Sequence, residues 1–180
     1  MITQQTQKYL IGVVRSTINH KLKHGELLQT SQLPEYGDPV IHEKRGVFVT
    51  LKLNNRLRGC VGCVVANRTL LEQTIHQANN AAFNDQRFSP VEHMKDILCE
   101  ISVLSPARAV KSFNQIDISK HGIILEKNNR RALFLPKVAK ENNWSLEHTL
   151  MRLCDKAGLE TNQWRTGASF EVFEAFEFKE

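Results

Sequence analysis

The sequence has few of the features that mark specialised protein classes. Its 180 residues include four cysteines, five prolines and nine glycines, too few for a disulfide-stapled secreted domain, a collagen-like chain or a low-complexity segment. No stretch approaches the roughly 20 consecutive apolar residues that cross a bilayer. Residues 1–25 are polar and amphipathic, unlike a secretion signal. We therefore expect a globular protein with no membrane contact, in the reducing cytoplasm.

Charge and motif content narrow the function further. The 24 Lys and Arg residues against 19 Asp and Glu give a formal charge of +5, but the basic stretches are not interleaved with aromatic residues that could stack on bases, which disfavours nucleic-acid binding. The sequence has no glycine-rich phosphate loop, G-x-S-x-G elbow or H-E-x-x-H pair. We expect neither a bound metal nor a cofactor.

The hydrophobic pattern predicts an α+β fold. In chain order we predict a helix over 4–23, a long surface loop over 26–46, a hairpin over 47–65, a helix after a Thr69–Glu72 capping box, a short helix at Ser89–Glu92, a strand over 97–103, a hairpin over 122–135, a helix over 145–156 and one bulged strand over 170–178. Helices and hairpins are intermixed without a βαβ rhythm. This order favours a mostly antiparallel sheet with flanking helices.

One segment, Leu57–Cys63, could carry chemistry. Glycines on both sides of Cys60 leave its thiol little shielded and allow a ligand close to the backbone. Because residues two apart on a regular strand share a face, Arg58 should lie beside Cys60. A guanidinium next to a partly exposed thiol would favour the thiolate, the nucleophilic form. The pattern indicates a candidate reactive cysteine.

Less specific readings of the same residues stay open. Cys60 could pack as a small hydrophobic residue, as free cysteines commonly do. Cys60 and Cys63 spell C-x-x-C, but residues three apart on a strand face opposite ways, and Cys99 and Cys154 are too isolated to complete a zinc site. This disfavours both a redox dithiol and a structural zinc.

The same segment resembles a family signature. Residues 57–62, LRGCVG, are similar to the LRGC(I/V)G motif of the AMMECR family, whose bacterial members are called AmmeMemoRadiSam system protein A. Further blocks that resemble the family are GVFVTL at 46–51, NDQRF at 84–88, EISVLS at 100–105, HGII at 121–124, residues 133–139, Trp144 and KAGL at 156–159. The resemblance covers about residues 46–164. Cys63 departs from it, because the family commonly has a non-cysteine there.

The resemblance implies a fold and associations but no reaction. It implies one domain over 1–180, made of a larger and a smaller intertwined subdomain around a cleft near the signature. It also implies association with a Memo-like protein and a radical SAM protein. We take as candidate catalytic residues Cys60, Arg58, Asp85, Arg87 and His121, and as candidate binding residues Gly59, Gly62, Phe88 and Glu100. An enzyme or enzyme subunit centred on Cys60 and a non-catalytic binding module both remain open.

Overall fold

The computed structural model describes residues 2–180, and Met1 lies outside the described residues. The chain forms two compact units. The first runs to Leu104 and is completed by Phe176–Glu180, and the second is Ser105–Ala175. Helices and two antiparallel four-stranded sheets are mixed along the chain, so the predicted α+β class is confirmed.

Helices and short strands follow one another along the chain without regular alternation. The helices are α1 (Gln4–His24), α2 (Leu70–Phe83), α3 (Pro136–Glu141) and α4 (Leu146–Lys156); the strands are β1 (Val47–Leu53), β2 (Arg56–Cys63), β3 (Ile97–Leu104), β4 (Arg108–Val110), β5 (Gly122–Lys127), β6 (Arg130–Phe134), β7 (Ser169–Phe173) and β8 (Ala175–Lys179). The first unit contains the sheet ordered β2-β1-β3-β8 and the second the sheet ordered β4-β7-β5-β6. Strand β2 is therefore an edge strand.

The core of the first unit lies between its helices and one face of its sheet. On β1 the side chains of Val47, Val49 and Leu51 are fully buried and pack in one cluster with residues of α1 and α2. Their period of two places the alternate residues, Thr50 among them, on the opposite face. The side chains on the face opposite the core, Thr50 among them, are therefore the ones available to form a functional site.

Local signals in the sequence place the ends of these elements as predicted. Gly25 ends α1 in the left-handed conformation, with a φ of 76°, and Thr69 and Glu72 form both hydrogen bonds of the capping box that begins α2. Both Asn-Asn pairs, Asn54–Asn55 and Asn128–Asn129, have positive φ. Positive φ at two successive turn residues matches the right-handed twist of a hairpin, so the β1–β2 and β5–β6 hairpins are confirmed.

The second unit packs α4 against its own sheet. Leu150, Leu153 and Cys154 of α4 are buried in one cluster with Ile123 and Leu125 of β5. Strand β7 lies between β4 and β5 in this sheet. Arg108 of β4 is opposite Val172 of β7, and the first residue of β5 is opposite Phe173 of β7. Arg108 and the start of β5 therefore lie at the same end of the sheet.

Five elements differ from the sequence-based prediction. Ser89–Glu92 is not helical, because the chain turns back there and the Val91 amide donates to Ala82 O at 2.8 Å. The loop over 26–46 is not confined to the surface, since it contributes buried Leu28 and Ile41. Residues 170–178 form two strands in different sheets. The sequence analysis did not predict β4 and α3, because both are too short to show a hydrophobic period.

Candidate functional site

Cys60 lies half-buried on the edge strand β2, opposite Thr50 of β1. The Cys60 Sγ atom is 3.2 Å from Thr50 Oγ1, which is hydrogen-bond distance for a sulfur. The pair is of the non-hydrogen-bonded kind, in which facing side chains approach most closely. This explains why the thiol and the hydroxyl meet on the face of the sheet opposite the helices.

The main chain of Cys60 is held from outside the sheet by two side chains. Its amide donates to Asp85 Oδ2 at 2.9 Å, and its carbonyl accepts from Arg87 Nη2 at 3.0 Å. These are the two groups that an edge strand leaves without a partner strand. A carboxylate and a guanidinium thus take the place of a neighbouring strand at this one residue. We call this arrangement the Asp85–Arg87 clamp.

The clamp is built from the tight turn that follows α2. Asp85 Oδ1 accepts from the Arg87 amide at 3.2 Å, and the Phe88 amide donates to Asp85 O at 3.0 Å. Aspartate side chains that bond the backbone two residues on are typical of such turns. The Arg87 guanidinium lies 5.5 Å from the centre of the Phe88 ring. Phe88 therefore supports Arg87 through its ring.

The charges of the clamp neutralise each other. Arg87 donates from Nε and Nη2 to the two carboxylate oxygens of Asp85, at 2.9 and 2.7 Å. These hydrogen bonds hold the pKa of the Asp85 carboxyl well below its usual range, against the opposing effect of burial. Asp85 therefore stays ionised at neutral pH, which suits a hydrogen-bond acceptor and does not suit a proton donor.

Two glycines of the signature are required by packing. A Cβ atom on Gly59 would overlap the backbone oxygen of Ala81 in α2, and a Cβ on Gly62 would overlap the Phe48 ring. The two positions lie on opposite faces of β2, so glycine allows one face of the strand to approach a helix backbone and the other face to approach an aromatic ring directly. The sequence indicated a close approach to a ligand here, whereas the structure shows close approach within the protein.

Arg58 occupies a bulge, which corrects the expected geometry. Lys52 is opposite Leu57 and Leu51 is opposite Gly59, so Arg58 is the extra residue of β2. The two-residue alternation that was to bring Arg58 beside Cys60 is broken at this point. Its Nη2 donates to Pro90 O at 3.0 Å, and its buried Nη1 has no hydrogen-bond partner among residues 2–180. Arg58 thus joins the strand to the segment after α2.

Two polar residues that the sequence analysis did not select, Thr50 and Lys52, lie on the same face of the sheet as the Cys60 thiol. Thr50 is opposite Cys60 on one side and opposite Glu100 of β3 on the other. Lys52 Nζ donates to Glu100 Oε1 at 2.7 Å. Thr50 and Lys52 could have been found, because they are the polar positions on the non-core face of β1. Thr50 and Lys52 lie with Cys60 and Glu100 in one row on this face of the sheet. The row contains the Cys60 thiol, the Thr50 hydroxyl and the Lys52–Glu100 ion pair.

His121 belongs to the second unit. It lies immediately before β5, is 8% exposed, and has hydrogen-bond distances to Asp117 and Arg108. The other candidate residues of the sequence analysis all belong to the first unit. The structure therefore brings Cys60, Asp85 and Arg87 together, and gives His121 a separate set of partners.

Comparison with known proteins identifies the family. The AMMECR1 family model matches residues 11–178 of the chain. The chain belongs to the AMMECR1 family.

AMMECR1 relatives share the whole domain. A protein from Methanococcoides burtonii is 37% identical, with 100% of this chain and 92% of that protein covered. A protein from Thermococcus onnurineus is 35% identical, over 91% of this chain and 84% of that protein. The crystal structure of an uncharacterized protein from Pyrococcus horikoshii superposes with a TM-score of 0.90 at 33% identity, covering 99% of this chain and 93% of that one. The Pyrococcus horikoshii protein thus has the same fold as this AMMECR1 chain.

The four cysteines of the AMMECR1 chain have different environments. Cys99 and Cys154 are buried, whereas Cys60 and Cys63 are half-exposed, and all four are free thiols. Burial raises the pKa of Cys99 to about 12 and raises that of Cys154 above its usual value. Strand β2 is regular from Gly59 to Cys63, so Cys60 and Cys63 face opposite ways. This agrees with the geometry expected for the C-x-x-C pair.

Among its described residues, the AMMECR1 structure has neither a metal-binding cluster nor a membrane-spanning helix. Within residues 2–180, no three or more His, Cys, Asp or Glu side chains are grouped so that they could hold a metal ion. No helix in the same part of the chain is both long and apolar enough to cross a membrane.

Proposed function

We propose that this AMMECR1 protein is an enzyme, or a subunit of one, that acts through the Cys60 thiol. The observation that supports the proposal is the half-exposed Cys60 Sγ 3.2 Å from Thr50 Oγ1, on a main chain that the Asp85–Arg87 clamp holds at both its N–H and its C=O. A nucleophile held at its backbone presents its sulfur in one orientation, which lowers the entropic cost of attack on an electrophile.

Each neighbour of the thiol has a role in this proposal. The Thr50 hydroxyl donates to the thiolate and so stabilises the attacking form. Asp85 and Arg87 are positioning residues, because their contacts with Cys60 are to its main chain. The Lys52–Glu100 ion pair supplies polar and charged groups on the same face for a substrate. Arg58 positions the strand through its hydrogen bond to the Pro90 carbonyl.

Alkylation tests this role, with Cys63 as an internal control. Cys63 is also a half-exposed free thiol in β2, but its Sγ donates to the Val65 carbonyl at 3.5 Å. We expect iodoacetamide to label Cys60 about tenfold faster than Cys63. Cys99 and Cys154 should remain unlabelled in the native protein, because burial raises their pKa. Site-resolved mass spectrometry of labelling across pH measures all four rates.

A Thr50→Val variant connects this measurement to the site. Valine keeps the shape of threonine but has no hydroxyl to donate, so labelling of Cys60 should slow while that of Cys63 stays the same. Equal rates for Cys60 and Cys63 in the wild-type protein would overturn the nucleophile proposal.

A second candidate, a non-catalytic binding module, is favoured by a different observation. The clamp and the packed glycines make β2 rigid, and neither feature requires a thiol. Leu57, at the start of this strand, is 43% exposed. In this alternative the strand and Leu57 form a contact surface for a Memo-like or a radical SAM protein.

Two variants separate the candidates. Cys60→Ser removes the thiol but keeps size and polarity, whereas Leu57→Asp alters the exposed surface and leaves Cys60 in place. If the protein is an enzyme, biological activity should be lost in Cys60→Ser and retained in Leu57→Asp. The opposite result, together with loss of binding to a purified Memo-like or radical SAM protein by Leu57→Asp, would support the binding module. Circular dichroism of both variants checks that the fold is intact.

A further inference from the structure

The second unit contains a hydrogen-bond conflict at His121. The Asp117 amide lies 3.0 Å from His121 Nδ1, and Arg108 Nη2 lies 3.3 Å from His121 Nε2. Both partners are hydrogen-bond donors. A neutral imidazole has one acceptor nitrogen and one N–H, so it can accept from only one of them.

The distances and the charge of Arg108 decide which nitrogen accepts. The Asp117 contact at 3.0 Å is the shorter, and it lies within a tight loop in which the His121 amide also donates to Asp117 O at 2.8 Å. An imidazolium would place an N–H against the Asp117 amide and a second positive charge beside Arg108. In its neutral form, His121 therefore accepts at Nδ1 and carries its proton on Nε2.

In this tautomer, the Nε2–H of His121 and the guanidinium of Arg108 are two hydrogen-bond donors that lie against each other. The Nε2–H of His121 and the Nη2 group of Arg108 face each other at 3.3 Å, and neither can accept from the other. His121 is a buried residue with 8% exposure, whereas Arg108 is exposed. A buried N–H without an acceptor is unfavourable by the full cost of its desolvation. An oxygen that accepts from both groups would remove the conflict.

The charges nearby indicate what kind of oxygen this is. The carboxylate of Asp117 accepts from Ser119 and pairs with Lys120, so it is engaged with its own loop. Within residues 2–180, no carboxylate forms an ion pair with Arg108. A guanidinium without a counter-charge, next to a fixed neutral N–H, attracts an anion more strongly than it attracts water.

We propose that Arg108 and the Nε2–H of His121 bind an anionic oxygen group, a carboxylate or a phosphate, in the second unit. One oxygen accepts from Nε2–H, and the same group accepts from the guanidinium. The sheet fixes both donors, because Arg108 and the first residue of β5 are opposite consecutive residues of β7. The site is independent of the Cys60 proposal, since it shares no residue with it.

An anion titration followed by NMR tests the site. Sodium phosphate and sodium acetate are added separately at constant ionic strength, and the shifts of the backbone amides of Ser119 to Gly122 are recorded. We expect saturable shifts with at least one of the two anions, and the tighter anion identifies the ligand class. Multiple-bond ¹H–¹⁵N spectra of His121 should show the proton on Nε2. Shifts that do not saturate, or a proton on Nδ1, would overturn the proposal.

Matched variants assign the binding to these two donors. Arg108→Gln should weaken binding about tenfold or more, because it removes a charge-assisted hydrogen bond. Arg131→Gln is the control, since Arg131 is another strand arginine of the same unit but is paired with Glu171 at 2.9 Å. In His121→Asn the side-chain oxygen can still accept from the Asp117 amide, so the loop should stay folded while anion affinity falls. Equal affinity in Arg108→Gln and Arg131→Gln would contradict the assignment.

Discussion

Replacing Gly59 by alanine should destabilise the protein by about 3 kcal/mol or more, or prevent folding. A Cβ atom at this position would overlap the Ala81 backbone oxygen, well inside the 3.0 Å that real Cβ contacts essentially never cross, and would lie 3.1 Å from the Ala81 carbonyl carbon. The obstacle is helix backbone, which cannot rotate away as a side chain can. Strand β2 and helix α2 would have to separate, and buried apolar area would be lost.

Urea unfolding of Gly59→Ala and Gly12→Ala provides the measurement and its control. Gly12 lies within α1, and nothing is within 4 Å of the Cβ that alanine would add there. Alanine should therefore stabilise α1 by about 0.5–1 kcal/mol through its higher helix propensity. An unfolding midpoint of Gly59→Ala equal to that of wild type would show that β2 does not need this close approach.

Gly62 makes an instructive contrast. Its added Cβ would meet the ring of Phe48, which is a side chain and can adopt another rotamer at moderate cost. We therefore attribute the larger effect to Gly59. Loss of biological activity in Gly59→Ala would report on packing between β2 and α2. It could not separate a reactive thiol from a binding surface, which is why Cys60→Ser and Leu57→Asp are the variants for that question.

Local physics made much of the fold predictable from the sequence. The Thr69–Glu72 capping box, the stop at Gly25 and the Asn54–Asn55 turn depend only on neighbouring residues, and each lies where the pattern placed it. The prediction of a single strand over 170–178 was wrong because the number of strands there depends on contacts between distant residues. The apolar alternation of this segment is the same whether it joins one sheet or two, and only long-range pairing divides it into β7 and β8.

The candidate site was predictable only in part. The glycines around Cys60 indicated the strand that carries the site, and Asp85 and Arg87 are among the candidate residues that the sequence predicts. That this pair reaches back 25 residues to the main chain of Cys60 depends on how α2 packs on the sheet. The bulge at Arg58 depends on the pairing of β2 with β1, which no periodicity within β2 reveals.

Removing the carboxylate of the clamp should have the second largest effect. Asp85→Ala deletes the acceptor of the Cys60 amide and the two carboxylate oxygens that accept from the Arg87 guanidinium. The Asp85 side chain is only 6% exposed. We expect a loss of about 2–3 kcal/mol, typical of hydrogen bonds to a charged group. Amide hydrogen exchange of Cys60 should also accelerate, because its N–H becomes free.

An exposed ion pair of similar chemistry is the control. Asp155 pairs with Arg152 at 3.2 Å, three residues away on one helix, and its side chain is 41% exposed. Asp155→Ala should cost no more than about 0.5 kcal/mol, because water screens such pairs. Equal losses for Asp85→Ala and Asp155→Ala would mean that the Asp85–Arg87 clamp is merely a surface ion pair and does not hold the strand.

The pH dependence gives the clamp a distinctive signature. Hydrogen bonds from Arg87 hold the pKa of the folded Asp85 carboxyl below its usual range, while an unfolded aspartate titrates near about 3.9. A depressed folded pKa contributes stability above the unfolded value and loses it as pH falls toward the folded value. The difference in the free energy of unfolding between wild type and Asp85→Asn should therefore be constant from about pH 7 to 5 and shrink below about pH 4. A difference that stays constant down to about pH 2.5 would show that Asp85 contributes through shape and not through its charge.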